Sequence, residues 1–340
     1  MNKLALVIPG LLGPLPELDQ QDIQLPDCSV LQKWLACAET TTTRSENYYD
    51  LLAELFGIRP DYAITKISAL MDNCGCSQGH WLRADPVHFK ADMEHTILFD
   101  QNSLHIDDDE ARALVDSFNQ HFAEDGIKLY AGHRHRWYLS FDCQLDIQTT
   151  PLPDAVGRNV NHFLPVGADA LNWKRLLNET QMLFHAHEVN TAREARGLMT
   201  INSLWLWGEG EEPQSVNNTD WYWLMANDAV AQGVALCSEI KSIPLADAVE
   251  ELHLPDGNGM IVLDQVMGPA SYGDVYAWKE AVEKICLDWF GKLHQLLTTK
   301  QIKQLELYSA DGRRFNLTSA SLLKFWRRKK PVSYYLSRYE

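Results

Sequence analysis

The sequence predicts an α/β protein: a layered, mainly parallel sheet with an α+β domain inserted into it. Short apolar runs alternate with amphipathic helical patterns in both terminal thirds, the order that builds a parallel sheet with crossover helices. The middle third instead reads as strands paired around a short turn, followed by further helical patterns. At 340 residues, 46% of them hydrophobic, the chain exceeds one ordinary core and can bury a sizeable interior.

The expected boundaries are 1–75 with 216–320 for a discontinuous core, 76–215 for the insertion, and 321–340 for a basic aromatic tail. LALVIP (4–9) ends in Pro-Gly, as a buried first strand entering a loop does. Residues 28–57 hold two helical patterns, with Ser45 a candidate cap of the second. WLRADPVHF (81–89) and HTILFD (95–100) are strand-like, and Asp-Pro suggests a loop at a sheet end. DDDEARALVDSFNQHFAEDG (107–126) is an amphipathic helix whose opening acids suit its positive end. IKLYAG (127–132) and RWYLSFD (136–142) flank a GHRH turn, and 149–170 is an irregular connection. A helix over 170–187, a strand over 201–208 and a polar loop over 208–220 follow. VALC (234–237), GMIVLD (259–264) and QLELYS (304–309) are expected strands, and 274–297 a long helix. No internal repeat interrupts this order.

A net charge of −16 and a pI near 5.1 argue against general nucleic-acid binding. No apolar run reaches the ~20 residues that span a bilayer. The N-terminal apolar run is short and broken by Pro9, unlike a signal peptide. The seven cysteines, at 28, 37, 74, 76, 143, 237 and 286, are an odd set without a disulfide-framework rhythm. Reduced thiols and a cytoplasmic location are therefore expected.

The stretch QMLFHAHEVNTAREARGLMTINSLWLWGEG (181–210) concentrates polar and aromatic residues. His185 and His187 could share a metal only in extended backbone, with a third ligand from elsewhere. His133 and His135 have the same spacing, and hydrogen-bonded structural histidines are the simpler reading of both pairs. Arg193 and Arg196, three apart on a helical turn, could clamp a phosphate or carboxylate. A solvated helix face balanced by Glu194 is the plainer alternative, and Gly197 suits a left-handed cap. Arg83, Asp85 and His88 lie close together, either as part of a site or with Arg83 paired internally to Asp85. No G-x-S-x-G, Gly-rich nucleotide loop or H-E-x-x-H occurs. LLKFWRRKKPVSYYLSRYE reverses the overall charge sign, with Arg327 to Lys330 beside Trp326, Tyr334 and Tyr335. That patch suits an acidic partner, anionic lipid or RNA, or docking on the protein's own acidic body.

HAHEVNTAREARGLMTINSLWLWGEG resembles a segment of archaeal-type cofactor-independent phosphoglycerate mutases. Glu188 stands where that family has proline and Trp207 where it has arginine. Residues 81–141 resemble the family's inserted domain. Nearer still is a bacterial group of RpfE-type regulatory proteins, through WLRADPVH, the Asn-Glu and His-x-His run at 178–187, NSLWLWG and FWRR. The resemblance implies an alkaline-phosphatase-like layered sheet with an inserted α+β domain. It also implies chemistry at two metal ions with a Ser or Thr nucleophile. The family's first metal-binding aspartate follows strand one, where this chain has Pro9-Gly10. Asp264 could match a later aspartate, Asp274 and Lys279 the start of the last long helix, while the histidine's place falls near Ser271. Thr40 to Thr43 and Ser29 are hydroxyls by position, but an unactivated hydroxyl is a weak nucleophile.

The expectation is thus a non-catalytic binding or regulatory protein with an eroded mutase site and no resident metal or other cofactor. It would recognise a small anionic phosphate ester or a protein partner, not nucleic acid. The binding candidates are Arg83, His88, His187, Asn190, Arg193, Asn202 and Trp207, with Trp205 as a second wall. One alternative is an active mutase or phosphate-ester enzyme holding Mn²⁺ or Zn²⁺ on His80, His88, His185 and His187. Another is an assembly factor acting through its acidic body and basic tail.

Overall fold

The computed structural model describes residues 3–13, 15, 28–58, 64–74, 79–91, 95–142, 146–210, 219–245, 254–324 and 326–336. Cys76, Cys143, Phe325 and most of the polar loop expected over 208–220 lie outside the described residues. The chain forms two compact units, one from Met1–Pro60 with Pro213–Glu340 and one from Asp61–Glu212.

The first unit opens with β1 (Lys3–Val7), α1 (Ser29–Cys37), β2 (Glu39–Thr42) and α2 (Tyr48–Phe56). Leu4, Ala5, Leu6 and Val7 are all 0% exposed, so β1 is buried on both faces. A parallel strand covered on both sides needs a continuous apolar run rather than an alternating one. α2 is capped by Asn47, whose side chain accepts the Asp50 N–H at 2.9 Å. Ser45, the expected cap, lies too far upstream, and its hydroxyl donates to Glu54 instead.

The second unit runs α3 (Ile64–Met71), β3 (His80–Ala91), β4 (Thr96–Phe99), α4 (Gln101–Leu104), α5 (Asp108–His121), β5 (Ile127–His133) and β6 (Arg136–Phe141). It continues through α6 (Leu152–Ala155), α7 (Ala170–His185), α8 (Glu188–Ala195) and β7 (Ser203–Trp207). α3 precedes the boundary expected at 76, yet it packs here because Ala69 is buried with Trp81 and Tyr138. The antiparallel sheet has the order β4-β3-β6-β5, with β7 also on β3. No loop forms at Asp85-Pro86: β3 runs straight through, pairing with β6 at 80–83, β7 at 83–87 and β4 at 88–91. α5 starts with a capping box between Asp107 and Glu110. Leu114, Phe118, Trp137, Leu139, Phe184 and Leu204 belong to the core under this sheet.

The chain then returns to the first unit with β8 (Trp223–Met225), α9 (Ala229–Cys237), β9 (Lys241–Ile243), β10 (Gly259–Val262), α10 (Met267–Tyr272) and α11 (Val275–Ile285). α12 (Gly291–Thr298), β11 (Gln304–Tyr308) and β12 (Arg313–Thr318) complete the elements. VALC is the last turn of α9 and not a strand. A short apolar run suits a buried helix as well as a strand, and this one is apolar all round. The seven-stranded sheet is ordered β2-β12-β11-β1-β10-β8-β9, parallel from β11 to β9 and antiparallel at the β12 and β2 edge.

The cysteine expectation changes, and the tail follows one of its two alternatives, docking on the protein itself. Cys28 and Cys286 form a disulfide with Cα atoms 6.0 Å apart, closing the start of α1 onto the end of α11. Residues 258 positions apart carry no local spacing signal, which is why the sequence suggested only free thiols. Cys37 and Cys74 carry free thiols. The basic segment is docked rather than loose: Val332 is 1% exposed, and Tyr335 and Leu336 pack on the main core. Arg327 donates to the carbonyls of Ala36 and Ala38, and Arg313 to that of Tyr335 at 2.6 Å.

Candidate functional site

In the second unit the expected binding residues are held by the fold itself. Arg83 is buried on β3 and grips Asp85 with Nε and Nη2, at 3.0 and 2.8 Å. Its guanidinium lies 4.9 Å from the centre of the Trp207 ring, and Trp207 Nε1–H donates to Asp85 Oδ2 at 2.7 Å. Burial raises the Asp85 carboxyl above its ordinary value, against the pull of Arg83 and Trp207. Beside this pair, Asp72 accepts from Arg136 at 2.6 and 2.8 Å and from the Tyr138 hydroxyl at 2.6 Å. Burial opposes the Asp72 charge, but those donors hold its carboxyl below the usual range.

The 181–210 segment is tied down in the same way. His185 ends α7, and His187 caps α8 through Nδ1, which accepts the Val189 N–H at 3.2 Å. With Nδ1 accepting, the neutral ring carries its proton on Nε2 and donates it to Ser117 Oγ at 2.8 Å. The extended backbone that a His-x-His metal pair needs is therefore absent here. Asn190 is 1% exposed; its amide donates to the carbonyls of Phe184 and Ile201 and accepts the Ile201 N–H.

Arg193 does not face a cleft. It is 0% exposed, donating to Glu110 at 2.5 Å, to the Met199 carbonyl at 2.7 Å and to the Leu104 carbonyl. Arg196 meets the other Glu110 oxygen at 2.5 Å, so one carboxylate balances both guanidinium groups. Gly197 adopts φ +70 and closes α8 as a left-handed cap.

Asn202 pairs with the Phe89 N–H and carbonyl at 2.8 and 2.9 Å, extending the β3–β7 ladder. His88 Nδ1 bonds the Thr200 carbonyl at 2.9 Å, and burial lowers its pKa. Trp205 is buried and donates to the Thr150 carbonyl at 2.9 Å. His80 stacks on Phe141 at the start of β3. Among the described residues no three His, Cys, Asp or Glu side chains are grouped as a metal ion would need.

In the first unit, the carboxyl ends of the parallel strands are where open α/β sheets place their ligands. Beyond β1 that position is filled: Pro9 is buried, and Ile8, Leu11 and Leu12 join Val266, Ala270 and Trp278 in one apolar cluster. Gly10, at φ +80, lets this turn close, since a Cβ would lie 2.7 Å from that of Ala270. Its carbonyl accepts the Trp278 Nε1–H at 2.9 Å. Beyond β8 and β10 stand Asp228 and Asp264, near enough for their charges to interact. Burial first, then Asp228, raises the Asp264 pKa to about 6. The Tyr48 hydroxyl donates to Asp228 at 3.1 Å, and burial with the two carboxylates raises its pKa well above the ordinary value.

This cluster sets two carboxylates, that of Asp264 with a raised pKa, beside a phenol donor. The sequence reading missed Asp228 and Tyr48; the signal was an apolar run, WLMA, ending in Asn-Asp before a helix. Asp228 also caps α9, accepting the Ala231 N–H at 2.8 Å. Two carboxylates beside a proline do not supply the oxygen and nitrogen donors of a two-metal centre. Asp274 caps α11, Lys279 pairs with Glu283, and Thr41 accepts from Arg314.

Residues 77–190 match the family described as 2,3-bisphosphoglycerate-independent phosphoglycerate mutase. The chain is 30% identical over 143 residues to the mutase of that name from Methanosarcina mazei, covering 41% of this chain and 36% of that protein. It is 26% identical over 190 residues to the Methanosarcina acetivorans mutase, covering 54% and 47%. The matched part thus spans less than half the length of these relatives. The PH0037 protein from Pyrococcus horikoshii shares the mixed α/β fold, with a TM-score of 0.52 and 12% identity over 93% of this chain and 87% of that one. The segment 77–190 is therefore phosphoglycerate-mutase-like, and it falls inside the second unit.

Proposed function

We propose that this protein is a phosphoglycerate-mutase-like member of the alkaline-phosphatase fold that works by binding rather than turnover. The observation that carries this reading is the apolar plug beyond β1, where Pro9, Leu11, Leu12, Ala270 and Trp278 occupy the place of a metal-binding aspartate in the resembled family. Filling that place with core residues removes a ligand and the room for a hydrated ion together. The buried pairs Arg83–Asp85 and Arg193–Glu110 support a further step. Their charge is spent inside the fold, so 181–210 serves as scaffold and recognition falls to a protein or surface partner. Calorimetric titration with 3-phosphoglycerate, with and without Mn²⁺, tests this. No heat of binding is expected; a site that needs both Mn²⁺ and Asp264 would overturn it.

One observation favours an enzyme instead. Asp264, able to hold a proton near pH 6 beside Asp228 and Tyr48, has the character of an acid–base group at a sheet end. Under that reading the cluster acts on a phosphate ester, and its loss would abolish turnover.

A further inference from the structure

Residues 321–336 include Lys324, Arg327, Arg328, Lys329 and Lys330 and no Asp or Glu, in a chain whose net charge is −16. The segment has two distinct sides. Leu322 and Val332 are buried, Tyr335 and Leu336 pack on the core, and Arg327 is spent on the Ala36 and Ala38 carbonyls. Leu323, Trp326 and Tyr334 project instead, at 74%, 66% and 63% exposed, among exposed Arg328, Lys329 and Lys330. The strap is held by its inner side while its outer side carries large apolar groups and cations.

We infer that this outer side docks on an anionic phospholipid surface. Leu and Trp side chains settle at the headgroup boundary, while Lys and Arg reach the phosphate layer along their apolar stems. The opposite charge of headgroup and strap supplies the attraction, and the acidic body is repelled, so contact is confined to this face. Single-stranded nucleic acid fits less well. The Lys330 ammonium sits 3.3 Å from the centre of the Tyr334 ring, covering a face on which a base would stack, and Leu323 offers a base nothing. No described helix is long and apolar enough to cross a membrane, so the contact is peripheral. This inference stands apart from whether the sheet end turns over substrate.

The test is co-sedimentation of the full chain with vesicles of neutral phosphatidylcholine, alone or with a third phosphatidylserine. Binding is expected to the anionic vesicles only and to weaken with added salt. Each cation should contribute roughly 5-fold, so Arg328→Gln, Lys329→Gln and Lys330→Gln together should lower the partition about 100-fold. Trp326→Ala with Leu323→Ala should weaken it at high salt, where charge is screened. All five side chains are exposed, and unchanged thermal melting of each variant shows that the fold is kept. No binding to anionic vesicles at low salt would overturn the inference. So would equal binding to polyuridylic acid with indifference to Trp326→Ala and Leu323→Ala, which would make the strap a general polyanion site.

Discussion

Arg193 Nη1 lies 2.5 Å from Glu110 Oε2, with the arginine 0% and the glutamate 8% exposed. The pair ties the last turn of α8 to the first turn of α5. Glu110 also serves the capping box of α5, so one carboxylate does two structural tasks.

Arg193→Ala should therefore lower stability by about 1.5–3 kcal/mol, because Glu110 keeps Arg196 but loses its buried partner, and the Met199 and Leu104 carbonyls lose their donor. Chemical denaturation of the variant measures this, and sulfate affinity should be unaltered. A stable variant that loses sulfate binding would restore the anion-clamp reading.

The paired histidines and arginines of 181–210 show what was legible in the sequence and what was not. Residue type marked a segment that concentrates polar and aromatic residues, and periodicity located α5, α7 and β7 within a few residues. Direction was hidden: whether Arg193 faces solvent or Glu110 depends on a partner 83 positions away. Pro9 was readable as a missing ligand, but the apolar plug around it draws on α10 and α11 from the far end of the chain. Asp228 escaped notice because a single Asp after a short strand looks like any helix cap, and it is one.

Trp207→Phe keeps an aromatic ring at this place but removes the Nε1–H donation to Asp85 together with part of a buried ring. Losing a hydrogen bond to a buried charged group costs about 1.5–3 kcal/mol, and the cavity left by the smaller ring adds to it. An unchanged denaturation midpoint would show that Asp85 is satisfied without it.

Deleting 331–340 should destabilise the first unit, since Val332 is 1% exposed and Tyr335 and Leu336 pack on its core. Burial of Val332 alone contributes about 1.5–3 kcal/mol. A melting temperature unchanged by the deletion would show the strap to be dispensable.

His135 gives a pH dependence. Burial first, then the neighbouring Arg134 and His133, lowers its pKa to about 4, and its buried Nδ1 meets no hydrogen-bond partner among the described residues. The unfolded chain binds this proton near pH 6.5 and the folded one only near 4, so stability falls as pH drops across that window. His135→Gln should flatten the wild-type slope across the same window. Parallel profiles for the two proteins would contradict the assignment.

Binding without turnover is tested most directly by following 3- and 2-phosphoglycerate by phosphorus NMR with repurified protein and added Mn²⁺. Interconversion no faster than in buffer is expected, with Asp264→Ala indistinguishable from wild type. Mn²⁺-dependent interconversion that disappears in Asp264→Ala would contradict it and make the Asp228–Asp264 cluster an active site.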